Sequence, residues 1–221
     1  MSHSRDLLAQ LVRFDTTSRE SNLALIDFVR TYLQGHGVAC ELVFNEHKNK
    51  ANLLATIGPA DVPGIVLSGH TDGVPVDGQR WSVAPFDLTE QDGKLYGRGT
   101  ADMKGYIACV LACVPALVRA SLRMPVHIAL SYDEEVGCLG VRSLIERFCA
   151  QPVKPLLCVI GEPTELKPVL GHKGKLAMRC HVHGAACHSA YAPYGVNAIE
   201  HAARLIGQLG EIGRRLAAPE R

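Results

Sequence analysis

Aromatic residues and net charge are both scarce in this chain. Phe, Trp and Tyr make up 5% of its 221 residues, with one Trp, and the formal net charge is +1 at pH 7. Proteins that bind nucleic acid or anionic lipid by electrostatic attraction carry a marked excess of Lys and Arg. The charge balance therefore argues against a nucleic-acid partner and against binding to a membrane surface.

The sequence also lacks paired cysteines, an apolar leader and a membrane-length apolar run. Eight Cys are present without a CxxC pair, which favours buried, reduced thiols in a cytoplasmic protein over a disulfide framework. No charged-then-apolar leader opens the chain, so secretion is not indicated. The longest apolar run, residues 106–118, contains Pro115 and is too short to span a bilayer.

Apolar residues, in contrast, are plentiful at 47% of the chain, enough for a large buried core. Helical spacing of apolar residues predicts helices over residues 6–14, 21–33, 103–120 and 141–149. Short apolar runs predict strands over residues 40–44, 52–57, 65–67, 126–131 and 156–160. The runs at 65–67, 126–131 and 156–160 are predicted to be buried. Because strands alternate with helices, we predict an α/β fold with a doubly wound, mostly parallel sheet.

The pattern changes after Gly161. Residues 173–182 alternate apolar and polar positions, which predicts a strand, and residues 195–209 predict an amphipathic helix with Asn197 as its cap. One strand and one helix cannot bury their apolar faces alone. We therefore expect a second domain of the α+β type to begin here, over residues 172–221, after a first domain over residues 1–171.

Acidic residues and one His follow the apolar runs of the first domain. They are His70, Asp72, Asp102, Glu134, Glu135 and Glu162. In an open α/β sheet, functional groups gather beyond the carboxyl ends of the strands. Carboxylates and imidazole are ligands that a catalytic metal ion takes from proteins, so their convergence there indicates a metal site built for hydrolysis.

Each of these signals also has a plainer interpretation. A lone HxD at 70–72 is compatible with a solvated loop, and Asp102 with a residue that caps a helix and offsets its dipole. The acids at 133–135 are compatible with a solvated loop, although three adjacent carboxylates repel one another unless a cation neutralises them. A nucleophilic Ser189 is conceivable, but nothing identifies its base.

Four motifs resemble those of the di-zinc aminoacylase, deacylase and carboxypeptidase family. They are SGHTD at 68–72, GRGTADMKG at 97–105, DEEVG at 133–137 and GEPT at 161–164. The resemblance implies a metal-dependent amide hydrolase that acts on a small N-acyl amino acid. Residues 74–79, 137–140, 171–174 and 195–199 are similar to the branch that deacetylates N2-acetyl-L-ornithine in arginine biosynthesis. The alternatives are desuccinylation of N-succinyl-diaminopimelate by the same chemistry, and a truncated chain without catalytic activity.

Carried over to this sequence, the resemblance implies a ligand set for two zinc ions, with cobalt as an alternative. His70 and Glu162 bind one ion, Asp102 bridges both ions, and Glu135 binds the other. The peptide bond after Asp102 is expected to be cis.

The resemblance implies further roles beside the metal ligands. Asp72 orients His70, and Glu134 is the general base that takes a proton from the attacking water and returns it to the leaving amine. His188 belongs to a lid and dimerisation domain and stabilises the oxyanion in the active site of the other subunit. These roles imply a homodimer when the protein is full length.

The family uses one more His ligand, near the C-terminus of its catalytic domain, and this chain ends at Arg221 without it. We therefore expect residues 1–171 to be an incomplete catalytic domain and residues 172–221 the truncated start of the lid. We also expect the chain alone to bind the second metal ion poorly and to have little activity.

Overall fold

The structure is a computed structural model that describes residues 2–217, and the chain divides into two compact units. The first unit is Met1–Pro168 and the second is Val169–Arg221. The predicted boundary between residues 171 and 172 lies three residues further along the chain.

The first unit contains every helix and strand predicted for it, with ends shifted by a few residues. Its helices are α1 (Ser2–Val12), α2 (Leu23–Gly35), α3 (Gly105–Arg119) and α4 (Val141–Ala150). Its strands are β1 (Cys40–Phe44), β2 (Ala51–Ile57), β3 (Ile65–His70), β4 (Thr89–Gln91), β5 (Lys94–Tyr96), β6 (Val126–Ser131) and β7 (Leu157–Ile160). The periodicity did not predict the small hairpin formed by β4 and β5.

The central sheet is mostly parallel, as predicted. Its strand order is β1-β2-β6-β3-β7. Strand β3 pairs in parallel with β6 and β7, whereas β2 pairs antiparallel with both β1 and β6. Four of the five strands therefore point in one direction, and β6, β3 and β7 end at the same edge of the sheet.

Helices cover both faces of this sheet, which makes it doubly wound. Neighbouring residues of β2 point to opposite faces, so Leu53 joins a core with helices α1, α2 and α3, while Leu54 faces α4. On the α4 side, Leu144 packs against Leu54, Val66 and Ala129. Burying a Leu side chain stabilises a fold by about 1.5–3 kcal/mol, so these two layers hold the sheet edge in place.

Strand β7 is exposed, and the prediction that this apolar run is buried was wrong. Leu157, Val159 and Ile160 are 50%, 42% and 63% exposed. Strand β7 pairs with β3 alone and lies at the edge of the sheet. An apolar run is buried only where other elements pack over it, and the run itself does not show whether they do.

The cysteines are free thiols, as predicted, but the prediction that they are buried was also wrong. Seven of the eight are exposed, and the eighth is partly buried. In α3 the core-facing stripe includes Ile107, Leu111 and Val114. With 3.6 residues per turn, Cys109 and Cys113 fall outside this stripe and face away from the core.

The segment Thr100–Arg119 is long and apolar enough, by length and composition, to cross a membrane. It is longer than the apolar run of residues 106–118, because an irregular helical turn at Thr100–Lys104 precedes α3. Ile107 and Leu111 of this segment are 1% and 0% exposed, and they belong to the main core cluster. The inner face of α3 is therefore part of the core of the first unit.

The second unit contains a short 3-10 helix, Ser189–Tyr194, and helix α5 (Ala198–Ala217). Helix α5 confirms the predicted helix and extends beyond it, and Asn197 Oδ1 accepts a hydrogen bond from the Ile199 N–H at 3.0 Å, as a cap does. The strand predicted over residues 173–182 was wrong, because this segment is irregular and exposed. A strand needs a paired neighbour, and in the described part of this unit only a single bridge forms, between Ala185 and Val196.

Candidate metal centre

The candidate ligands lie at the edge of the sheet where three parallel strands end. His70 is the last residue of β3 and pairs with Ser131, the last residue of β6. Glu134 and Glu135 lie in the turn after β6, and Glu162 follows β7. The parallel arrangement brings together side chains that are far apart in the sequence.

Three carboxylates surround the Nε2 atom of His70. Asp102 Oδ1 lies 2.8 Å away, Glu162 Oε1 3.8 Å and Glu134 Oε2 4.0 Å. Ligand atoms of His70, Asp102 and Glu162 all lie within 4.8 Å of one another, and so do ligand atoms of His70, Glu134 and Glu135. Two groups of potential metal ligands therefore share one imidazole.

His70 is held in an orientation that directs Nε2 toward these acids. Its side chain is 2% exposed, and Nδ1 lies 3.0 Å from the backbone oxygen of Asp72. Burial alone would lower the pKa of His70, but hydrogen bonds and charges from Asp72 and Asp102 outweigh burial and raise this pKa to about 9. The metal-free imidazole is therefore protonated at neutral pH, and a metal ion that binds Nε2 must displace that proton.

The Asp72 carboxylate contacts His70, but its shorter contacts are with Ser18 and with the turn that carries Glu134 and Glu135. The Asp72 carboxylate lies 3.4 Å from His70 Nδ1. It accepts hydrogen bonds from Ser18 Oγ at 2.7 Å and from the N–H groups of Glu134 and Glu135 at 3.1 and 3.2 Å. Burial would raise the pKa of Asp72, but hydrogen bonds led by that from His70 lower it. Asp72 is thus an ionised anchor between β3 and the turn after β6.

The carboxylates of the cluster repel one another in the absence of a cation. Burial raises the pKa of Glu135 and of Glu162, and the charge of Asp102 raises both further. The side chains of Asp102, Glu134 and Glu162 are 38–48% exposed, so solutes can reach them. One imidazole nitrogen with several carboxylate oxygens fits a divalent cation such as zinc, and such a cation would relieve the repulsion.

An irregular backbone presents Asp102 to the cluster. The peptide bond between Asp102 and Met103 is cis, as predicted. Gly99 has a φ of +79°, and a Cβ atom there would lie 3.2 Å from Lys104 Cδ, so the turn favours glycine. The N-cap position of α3 is Lys104, and Asp102 therefore does not act as the simple helix cap that the plainer interpretation suggests.

A pocket of about 240 Å³ opens beside these acids and is lined by Val74, Arg98, Asp102 and Glu135, among others. Arg98 stacks over Trp81 and donates to Gln79 Oε1 at 2.6 Å, so its guanidinium supports the loop before β4. A larger, mostly apolar pocket of about 370 Å³ lies between α4 and strands β3 and β7. It is lined by none of the candidate ligands.

The remaining residues of interest are His188 and three side chains that surround the acidic turn. His188 lies in the second unit and belongs to neither ligand group. Ser18, Lys50 and Asp133 support the acidic turn through hydrogen bonds and an ion pair. None of the sequence motifs predicts this role for them. No short motif connects Ser18 and Lys50 with the acids, because their partners are 54 and 83 positions away.

This chain is similar to curated proteins that share one name. Acetylornithine deacetylase of Pasteurella multocida (strain Pm70) is 42% identical over 182 residues, which cover 82% of this chain and 47% of that protein. The enzyme of the same name from Proteus mirabilis (strain HI4320) is 39% identical over 203 residues, or 91% of this chain and 51% of that protein. The chain thus spans about half the length of the curated relatives it matches.

Solved structures show the same fold. The M20 family metallo-carboxypeptidase Sso-CP2 from Sulfolobus solfataricus has a TM-score of 0.63 at 22% identity, covering 73% of this chain and 37% of that one. Human carnosine dipeptidase 1 has a TM-score of 0.57 at 26% identity, covering 66% of this chain and 36% of that one. The profile of peptidase family M20/M25/M40 matches residues 66–218, well over half of the chain. This chain therefore belongs to peptidase family M20/M25/M40, a family of metal-dependent hydrolases.

Proposed function

We propose that this chain forms the metal-binding part of an enzyme that hydrolyses N2-acetyl-L-ornithine to L-ornithine and acetate, a step of arginine biosynthesis. The observation that carries the proposal is the convergence of Asp102, Glu134 and Glu162 on His70 Nε2. The identity of about 40% to enzymes named acetylornithine deacetylase supports the substrate.

The residues present fit two divalent cations, and we assign zinc to the site, with cobalt as an alternative. His70, Asp102 and Glu162 would hold one ion, and Asp102 with Glu135 would hold the other. The group formed by His70, Asp102 and Glu162 supports the first assignment, and Glu135 lies in the neighbouring group with His70 and Glu134. When bound, two such ions lower the pKa of a shared water to roughly 7 and polarise the amide carbonyl.

Glu134 is the proposed general base. The Cys138 thiol lies 3.4 Å from Oε1 of Glu134, while Oε2 faces His70 at 4.0 Å. Oε2 would take a proton from the attacking water as the new C–O bond forms. Glu134 would then return that proton to the amine nitrogen as the C–N bond breaks, so the carboxylate is regenerated.

We further propose that the first unit is a catalytic domain and the second unit the start of a lid and dimerisation domain. Nδ1 of His188 accepts a hydrogen bond from the Ala190 N–H at 3.1 Å. The neutral imidazole therefore carries its proton on Nε2 and can donate it. This supports a role for His188 as a hydrogen-bond donor to the oxyanion in the partner subunit of a cytoplasmic homodimer.

The variant Glu134→Gln tests the proposed chemistry, with the exposed Glu165→Gln as a matched control. In the enzyme of which this chain forms part, we expect Glu134→Gln to keep its bound metal and to lose at least about 100-fold in hydrolysis of N2-acetyl-L-ornithine. Glu165→Gln, whose side chain is exposed, should resemble the unchanged enzyme. Metal analysis and turnover on N-acetyl and N-succinyl substrates are the measurements. Near-normal turnover of metal-loaded Glu134→Gln would contradict the role of Glu134. Faster hydrolysis of N-succinyl-diaminopimelate would contradict the proposed substrate. A chain that binds no metal would favour the alternative of a truncated chain without catalytic activity.

A further inference from the structure

A mostly buried ion pair joins two segments that lead to the metal centre. Lys50, just before β2, is 8% exposed, and its Nζ lies 2.5 Å from Asp133 Oδ1. The same ammonium donates to the backbone oxygen of Ser18. A buried charge is costly unless it is paired and hydrogen-bonded, and here both partners belong to segments that reach the site.

Asp133 shapes the turn that carries Glu134 and Glu135. Its φ of +54° lies in the left-handed region, which few residues other than glycine adopt without cost. Its backbone oxygen accepts a hydrogen bond from Leu139 N–H at 3.0 Å. After this residue, the next two N–H groups both point at the Asp72 carboxylate.

Lys50 therefore links the two segments that hold Asp72. On one side, Ser18 accepts from Lys50 through its carbonyl and donates to Asp72 Oδ2 at 2.7 Å through its hydroxyl. On the other side, Asp133 accepts from Lys50 and begins the turn whose N–H groups donate to Asp72. We propose that Lys50 is a positioning residue, which fixes the acidic turn relative to His70 through Asp133 and Ser18; this inference rests on the proposed metal centre.

The two possible roles of Lys50, positioning the ligands or acting through its charge alone, predict opposite changes in metal affinity when Lys50 is removed. Removing a cation near a cation site strengthens metal binding if charge alone acts. If Lys50 positions the ligands, its loss weakens binding, because residues that orient metal ligands typically contribute 10- to 100-fold to metal affinity.

The test is Co²⁺ titration of the 221-residue chain at pH 7, followed by the visible absorption spectrum of bound cobalt. We expect Lys50→Met to bind Co²⁺ about 10- to 100-fold more weakly than the unchanged chain and to alter the spectrum at saturation. Lys48→Met, at an exposed position of the same turn, is the matched control and binds normally. Lys50→Arg, which keeps the charge and the donors, restores part of the affinity.

A second variant covers the case in which Lys50→Met does not fold. Asp133→Asn keeps a residue type that tolerates the left-handed backbone and removes the negative charge that pairs with Lys50. If the ion pair positions the acidic turn, this variant must change the absorption spectrum of bound cobalt, because the spectrum depends on how the ligands are arranged around the ion. Unchanged affinity and spectrum in Lys50→Met, or an unchanged spectrum in Asp133→Asn, would overturn the positioning role while leaving the metal centre intact. Failure of the unchanged chain to bind Co²⁺ would overturn the metal centre itself, and this inference with it.

Discussion

Helix α2 of the first unit and helix α5 of the second unit carry the same kind of apolar stripe, yet only the stripe of α2 is buried. Leu25 and Leu33 of α2 are fully buried under the central sheet. Ile206 and Leu209 of α5 are 68% and 55% exposed. An apolar stripe therefore shows which face of a helix avoids water, but it does not show what covers that face.

The difference in burial between the two units matters for the candidate metal centre. The proposed metal ligands all lie in the first unit, at or just after the ends of sheet strands or in the irregular turn before α3. The second unit carries His188 on an exposed segment. The metal-binding chemistry thus rests on the part of the chain that has its own core, which is where ligands can be held within a fraction of an ångström.

Core truncation gives the largest expected contrast between the units. Ile107→Ala in α3 removes a side chain that is 1% exposed and should lower the free energy of unfolding by about 2–5 kcal/mol. Ile206→Ala in α5 makes the same chemical change at an exposed position and should cost less than about 0.5 kcal/mol. Chemical denaturation followed by circular dichroism measures both. Equal losses would mean that Ile206 is buried in solution.

Metal binding should give the next largest difference between the two units. Zn²⁺ at about 100 times its dissociation constant should stabilise the chain by about 2.7 kcal/mol, measured by the unfolding midpoint with and without the ion. His70→Asn should abolish this gain, because it removes the imidazole shared by both ligand groups. His201→Asn, at an exposed position of α5, should keep the full gain. A normal zinc response in His70→Asn would contradict the assigned site.

The pH dependence of the metal-free chain should be smaller and should come from the first unit. The pKa of His70 is raised to about 9, so the stability that its proton contributes is complete below pH 6.5 and is lost as the pH rises toward 9. Between pH 7 and 8 we expect a loss of about 1 kcal/mol in the free energy of unfolding. Above pH 8 the effect is offset, since burial lowers the pKa of Lys104 to about 8. Unfolding curves at pH 7 and 8 measure the loss, which His70→Asn should remove.

The helix cap of α5 should give the smallest effect. Asn197→Ala removes the hydrogen bond from Ile199 N–H to Asn197 Oδ1 and should weaken the first turn of α5 by about 0.5–1 kcal/mol. Hydrogen exchange at Ile199 and His201, whose N–H groups donate to Asn197, should become faster, while exchange in α2 stays unchanged. Slower exchange, or a change in α2 alone, would show that the cap does not act locally.

Local patterns predicted most of the first unit and part of the site. Periodicity predicted the helices and strands, and their alternation predicted a mostly parallel sheet whose edge collects His70, Glu135 and Glu162. The β4–β5 hairpin, the exposure of β7 and the absence of a strand at 173–182 were missed. In each case the outcome depends on pairing or coverage by distant residues, which a local pattern does not encode.

The sequence alone determined the kinds of side chain available for a metal site, because strand-end motifs such as those at 68–72 and 133–137 are local. The tertiary structure decided how these side chains are held. It placed Ser18 and Lys50 against Asp72 and Asp133, and it turned Asp72 toward the N–H groups after β6. These contacts join residues more than 50 positions apart, and only the packing of the sheet brings such residues within hydrogen-bonding distance.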